Sequence, residues 1–373
     1  MTAVSIIIDT DFHGGAIEIV RIPKRGHIEL ALRGDSASDV KQWFSFRVRG
    51  GGARDIAIDI GGASFAGSWD RYQAMMSTDG ETWRRAPTSL VGDDSLVIRH
   101  DAKAEETHYA YFTPYPAVRL AQRLVDYAAC DWMNVGPIGT TVQGMPLPIV
   151  RVGDDDRDAT VWLLSCQHPG ETPAAWAAEG FLARMMDSAD PVVRALLERV
   201  NIAVAPFVNL DGARLGNHRT NAAGLDLNRT WDDPSPDDAP ETHAILRMIE
   251  DTNVAFVIDL HADESAQFVF ASKSEGNPAY DDEIAEAEAA FGADLAELSP
   301  DFLDEDFYDP DEPGAADLSI AANQLGERYR VPSVTVELPM GAAGTERIRE
   351  GWSTERAAAF GADLVEALAN AFR

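Results

Sequence analysis

Residues 159–171, reading Ala-Thr-Val-Trp-Leu-Leu-Ser-Cys-Gln-His-Pro-Gly-Glu, constrain this chain more tightly than any other stretch. The apolar run at 161–164 has the length of a buried strand. Pro169 and Gly170 stop it in a sharp turn, and a helical pattern begins at Pro173. A buried strand feeding a helix through a tight turn is half of an α/β unit. The turn presents His168 and Glu171 from outside any regular element. A His nitrogen and a carboxylate placed this way can bite one Zn2+, and a third protein ligand would leave the fourth position open for water. The same four residues also suit a polar turn with no metal, so the rest of the chain must decide.

Short apolar runs alternate with helical patterns throughout the remainder of the second part. Strands are expected at 147–152, 202–208, 254–260, 266–271 and 334–336. Helices are expected at 118–129, 191–200, 241–251, 281–298 and 354–371. This predicts an α/β domain over 118–373, with a mixed, mostly parallel sheet flanked by helices. The stretch 209–238 reads as a long loop rich in Asn, Gly, Arg and Asp, and such a loop inside a compact domain is usually functional. Residues 1–117 read as an all-β antiparallel sandwich. Short runs at 5–8, 16–22, 27–32, 43–48 and 56–60 are separated by turn residues such as Gly50-Gly51-Gly52, and Phe44, Phe46 and Val48 alternate with Ser45 and Arg47. Charge divides the chain at nearly the same place. Residues 1–120 hold 14 basic and 16 acidic side chains, leaving 17 basic and 46 acidic for the rest.

The net charge of −31 excludes nucleic acid and anionic membranes as expected partners, because phosphate contacts need Lys and Arg. No run of eighteen apolar residues predicts a membrane span, and no signal-peptide pattern opens the chain. Cys130 and Cys166 form no disulfide framework, so a cytoplasmic location is expected.

Polar residues collect at the carboxyl ends of the expected strands, where ligands of α/β folds bind. His168 and Glu171 follow one strand, His261 closes Val-Ile-Asp-Leu-His, and Glu337 ends another. His218 falls in the long loop and His243 in a helix, which leaves His261 as the best third metal ligand.

Several motifs together carry a resemblance. The His-Pro-Gly-Glu turn, the His after an apolar strand, Asn209-Leu210-Asp211-Gly212, Asp226-Leu227-Asn228-Arg229 and Thr335-Val336-Glu337-Leu338 resemble the motif set of the zinc metallocarboxypeptidases. Trp43-Phe44-Ser45-Phe46-Arg47-Val48, Ser77-Thr78-Asp79-Gly80, Tyr111-Phe112-Thr113-Pro114-Tyr115 and Gly216-Asn217-His218-Arg219 are similar to that family's cytosolic subfamily. The resemblance implies one zinc per chain, held by His168, Glu171 and His261. It implies Glu337 as general base, Arg219 as the group that stabilises the oxyanion, and Asn228 and Arg229 as the grip on the substrate's terminal carboxylate. Asp226 would orient His168. The capping tyrosine of the family is not obvious, and Tyr308 is the best match. The residue setting side-chain preference falls within 314–325, with Asp317 a candidate. The implied partner is a peptide or protein C-terminus.

Two other readings use the same residues. A zinc amidohydrolase of the aspartoacylase type would share the His/Glu turn and the Asp-Leu-Asn-Arg segment but act on N-acyl amino acids. A peptide-binding pseudoenzyme would keep the fold without turnover. The N-terminal sandwich and the intact His-Pro-Gly-Glu favour the peptidase, and the complete residue set speaks against the pseudoenzyme. Some members of the cytosolic subfamily trim glutamates from acidic tails. Here the catalytic part carries −29, and residues 301–312 hold seven acidic side chains, so a neutral or basic C-terminal region is the expected preference.

Overall fold

The computed structural model describes residues 6–22, 27–50, 55–65, 68–69, 71–91, 95–101, 104–153, 157–305, 307–341 and 351–373. Ser5, Gly51, Gly52 and Asp306, which entered the expectations above, lie outside these residues.

The first 110 residues form two five-stranded sheets. One runs, in order across the sheet, Ile7–Asp9, Ser45–Arg49, Glu106–Ala110, Met75–Ser77 and Arg84–Arg85. The other runs Glu18–Arg21, His27–Ala31, Asp55–Gly61, Ser95–Asp101 and Thr88–Val91. Alternation holds in part: Phe44, Phe46 and Val48 are buried and Arg47 is half-exposed, but Ser45 is buried as well. One pairing departs from a purely antiparallel scheme. His27–Ala31 and Asp55–Gly61 run parallel because the intervening strand Ser45–Arg49 lies in the opposite sheet, so the chain crosses over and returns in its original direction.

The second part is built on a seven-stranded sheet. Its order is Met133–Thr140, Pro146–Val152, Asn201–Ala205, Thr160–Ser165, Val254–Asp263, Ser333–Pro339 and Phe270–Ser272. The strands Asn201–Ala205, Thr160–Ser165, Val254–Asp263 and Ser333–Pro339 are mutually parallel, and the outer pairings are antiparallel. Thr160–Ser165 is buried along its whole length, as expected of a strand covered on both faces. The helix Thr172–Met185 follows directly on Glu171 and packs against Thr354–Ala371. Two glycines set this contact. A Cβ at Gly180 would collide with the backbone carbonyl of Ala358, and one at Gly361 with that of Ala177.

In the second part, four elements were not foreseen. Met133–Thr140 reads poorly as a strand because Gly136, Pro137 and Gly139 interrupt it, yet it pairs at the sheet edge through an irregular register. The long stretch 209–238 contains the short helix Leu210–Leu215 and a 3-10 turn at Leu227–Arg229. The helix Ala321–Tyr329 also forms.

The two parts are packed together. Buried residues of the sandwich and of the large sheet belong to one continuous apolar cluster. Arg85, from the sandwich, donates to the carbonyls of Met340, Gly341 and Trp352 at 3.3, 2.6 and 3.1 Å. Met340 and Gly341 immediately follow the strand that carries Glu337. Among the described residues, no helix is long and apolar enough to cross a membrane.

Candidate active site

The strand Thr160–Ser165 ends at Cys166, whose φ of +54° is a left-handed conformation that a non-glycine residue adopts only under constraint. Its thiol is buried and lies against the Glu171 carbonyl. The chain then turns through Pro169 and Gly170. Gly170 donates its N–H to the His218 carbonyl, and a Cβ there would press into the His218 ring and backbone. Glu171 occupies the N-cap position of the helix that follows, with its carboxylate turned to the histidines and not to the helix. These constraints aim His168 and Glu171 at the same point.

His261 arrives from the neighbouring strand. Val254–Asp263 continues two residues past His261, so this residue sits within the ladder and not beyond it, paired in register with Glu337 on Ser333–Pro339. The ligand atoms of His168, Glu171 and His261 lie within 4.8 Å of one another, and all three residues are buried. His168 Nδ1 stands 2.7 Å from Glu171 Oε1, and His261 Nδ1 stands 2.9 Å from Oε2. Each ring is held from behind. His168 donates through Nε2 to Asp226 at 2.9 Å, and His261 through Nε2 to Asp259 at 2.9 Å. In both rings Nε2 faces an outer carboxylate while Nδ1 faces Glu171. Two nitrogens and one carboxylate in that arrangement are the donor set that a catalytic zinc takes.

The electrostatics follow from this packing. Burial works against ionisation of Glu171, but His168 and His261 outweigh it and hold the carboxyl well below the usual range. Burial likewise disfavours a charged His261, yet Asp259 and Glu171 push its pKa well above the ordinary histidine value. Asp226 is held low against burial by His168 and by Arg219, whose Nε bonds to Asp226 Oδ2 at 2.7 Å. Glu337 shows the opposite balance. Burial raises its carboxyl well above the usual range, with Glu171 and Asp263 adding repulsion and His261 opposing.

A cleft of about 330 Å³ opens over this cluster. His168, Glu171, His261, Glu337, Arg219, Asn228, Arg229 and Tyr308 all line it. Asp226 caps the 3-10 turn by accepting the Asn228 N–H at 2.9 Å, which fixes the geometry of Asn228 and Arg229. Asn228 Nδ2 lies 3.2 Å from His261 Nε2, and its Oδ1 accepts the Ala321 N–H at 2.8 Å. Tyr308 is 43% exposed, packs edge-on against Phe270 and donates to Asp263 at 2.8 Å. Asp317 is exposed, accepts from Ser319 and faces Arg229 at 3.7 Å.

Sequence reasoning missed Asp259, the partner of His261. The signal was present, since residues two apart on a strand share a face. It also missed Gln167, which donates to Asp259 at 2.7 Å and accepts from the Trp231 indole at 2.7 Å, and Asp35, which reaches this region from the sandwich.

Residues 8–112 match the family model for the cytosolic carboxypeptidase N-terminal domain, and residues 124–299 match that for zinc carboxypeptidase. A metallo-carboxypeptidase from Burkholderia cenocepacia is 31% identical, with 98% of this chain and 99% of that one covered at a TM-score of 0.94. The chain belongs to the zinc metallocarboxypeptidase family. A Pseudomonas aeruginosa metallo-carboxypeptidase, solved in complex with (2-guanidinoethylmercapto)succinic acid, is 32% identical over 98% of this chain and 100% of its own, at a TM-score of 0.92. Human cytosolic carboxypeptidase 6 is 26% identical over 80% of this chain, which spans 64% of that relative's length. This metallocarboxypeptidase therefore carries hydrolase activity on peptides, and nothing favours the amidohydrolase or pseudoenzyme readings. Tyr308 and Glu337 lie beyond the matched segment 124–299, so their placement rests on the geometry of the cleft.

Proposed function

We propose that this metallocarboxypeptidase releases single C-terminal residues from peptides through one zinc ion held by His168, Glu171 and His261. The observation that carries the reading is the convergence of these three residues beneath a cleft that also presents Glu337, Arg219 and Arg229. Bound zinc supplies Lewis-acid activation of a water and of the scissile carbonyl. Glu337 takes the proton of the attacking water and delivers it to the leaving amine. Its place in the cleft, in register with the metal-site residue His261 on the neighbouring strand, suits it to that transfer. Arg219, oriented by Asp226, donates to the developing oxyanion. Arg229 grips the terminal carboxylate with its guanidinium fork, assisted by Asn228. Tyr308 closes over the substrate, and Asp317, which faces Arg229 at 3.7 Å, is the candidate for setting side-chain preference.

We place the division between the two domains at 117/118, at the first residue of the helix Ala117–Ala128 that follows the last sandwich strand. A cytoplasmic setting accords with the free Cys130 and Cys166 and with the name of the cytosolic relatives. For substrate, the cleft carries Asp263, Glu264, Glu275, Asp309 and Asp311 against Arg219, Arg229 and Lys273. This balance supports a preference for neutral or basic C-terminal regions over oligo-glutamate. Two measurements test the reading. Amidation of a peptide's C-terminus is expected to abolish cleavage, and equal cleavage of amidated and free peptides would refute an exopeptidase. In competition at low salt, a Lys- or Leu-ending peptide is expected to be consumed before an oligo-glutamate one, and the reverse order would show that local arginines override the surrounding acidity.

A further inference from the structure

Arg219 sits on a loop that the catalytic sheet does not support by itself. The loop is held by the sandwich. Asp35 is buried, at 7% exposure, and its carboxylate accepts three consecutive backbone N–H groups: His218 at 2.7 Å, Arg219 at 2.7 Å and Thr220 at 3.0 Å. Three amides turned onto one carboxylate form an anion nest, and charge-assisted bonds of this kind are roughly twice as strong as neutral ones.

Further contacts surround that nest. Ser36 donates its N–H to Asn217 Oδ1 at 3.1 Å, and Arg33 donates to the carbonyls of Leu215 and Gly216 at 2.5 and 3.1 Å. Gly14 donates its N–H to the Arg214 carbonyl at 3.0 Å. The approach is close enough to require glycine. At Gly216, with φ +73°, a Cβ would meet Ala16 and the Gly14 carbonyl at 2.9 Å, and at Gly224, with φ +88°, one would meet Ala37 at 2.8 Å and the Ser36 carbonyl at 2.9 Å.

We propose that Asp35 is a positioning residue for catalysis: from the N-terminal sandwich it fixes the backbone of residues 218–220 and so sets where Arg219 meets the transition state. Arg219 is then anchored at two points, its backbone by Asp35 and its Nε by Asp226. The inference rests on Arg219 being the oxyanion donor. It gives the sandwich a direct part in turnover, since a group displaced by about 1 Å can cost on the order of 10²-fold in rate.

The test is a cycle of four full-length, metal-loaded enzymes: wild type, Asp35→Asn, Arg219→Ala and the double variant. Arg219→Ala is expected to lose on the order of 10²-fold or more in kcat, as removal of an oxyanion donor does. Asp35→Asn keeps the shape of the side chain but removes its charge. It is expected to lower kcat by about 10-fold or more, with KM within about twofold and metal content unchanged. In the Arg219→Ala background the same substitution is expected to change kcat by less than about twofold, because the group it positions is gone. A merely structural role would depress both backgrounds equally, and that result overturns the proposal, as does wild-type kcat in Asp35→Asn. Wild-type kcat in Arg219→Ala would instead remove the oxyanion reading, and this inference with it. If Asp35→Asn does not fold, Arg33→Gln takes its place in the cycle, loosening the same loop at Leu215 and Gly216 under the same expectations.

Discussion

Replacing Asp259 by Asn isolates the charge behind His261. One oxygen of Asp259, Oδ2, receives both the His261 Nε2–H at 2.9 Å and the Gln167 amide at 2.7 Å. The other, Oδ1, is buried and has no hydrogen-bond partner among the described residues. Asparagine can therefore place its carbonyl where Oδ2 stands and keep both bonds. Its NH2 must then take the position of Oδ1 without an acceptor. Two effects follow, and they read out differently. The unpaired buried amide costs about 1–3 kcal/mol of fold stability, with or without metal. The missing charge makes His261 a poorer donor, which weakens metal binding by about 10–100-fold, or about 1.4–2.7 kcal/mol at 1.36 kcal/mol per decade. Chelator-competition titration at fixed pH measures the second effect, and thermal melting of the metal-free protein measures the first. Metal affinity within about twofold of wild type, alongside a depressed melt, would refute the argument and leave Asp259 as a packing residue only.

Glu337→Gln is expected to keep the metal and the fold while losing on the order of 10²–10⁴-fold in kcat; steady-state kinetics on a metal-loaded sample checks this, and near-normal turnover would place the base elsewhere. Gly180→Ala is expected to destabilise by about 1–3 kcal/mol or more, because its methyl meets the backbone carbonyl of Ala358, which cannot rotate away. Thermal melting with an unchanged midpoint would show that the two helices can part at no cost.

The central strands were legible because burial on both faces writes a continuous apolar run, as Thr160–Ser165 and the start of Val254–Asp263 show. The edge strand Met133–Thr140 was not, because an edge needs no apolar face on both sides and tolerates Gly and Pro. His168, Glu171, His261 and Glu337 could be gathered from their positions at strand ends, although the ladder turned out to run through His261 and not to stop before it. Asp35 could not be found this way. It lies 183 residues from His218 in sequence, in a loop whose Gly-Asp-Ser composition reads only as a turn, and its role exists only where two distant sheets meet.

A ribosome makes the sandwich first. All ten of its strands precede Thr160, and the loop carrying Arg219 is synthesised about a hundred residues after the last of them. When residues 214–220 appear, Gly14, Arg33 and Asp35 can already stand as a finished mould against which that loop sets. A catalytic half produced alone would have no such mould and would expose the apolar cluster it shares with the sandwich. Order of synthesis and order of assembly thus run the same way along this chain.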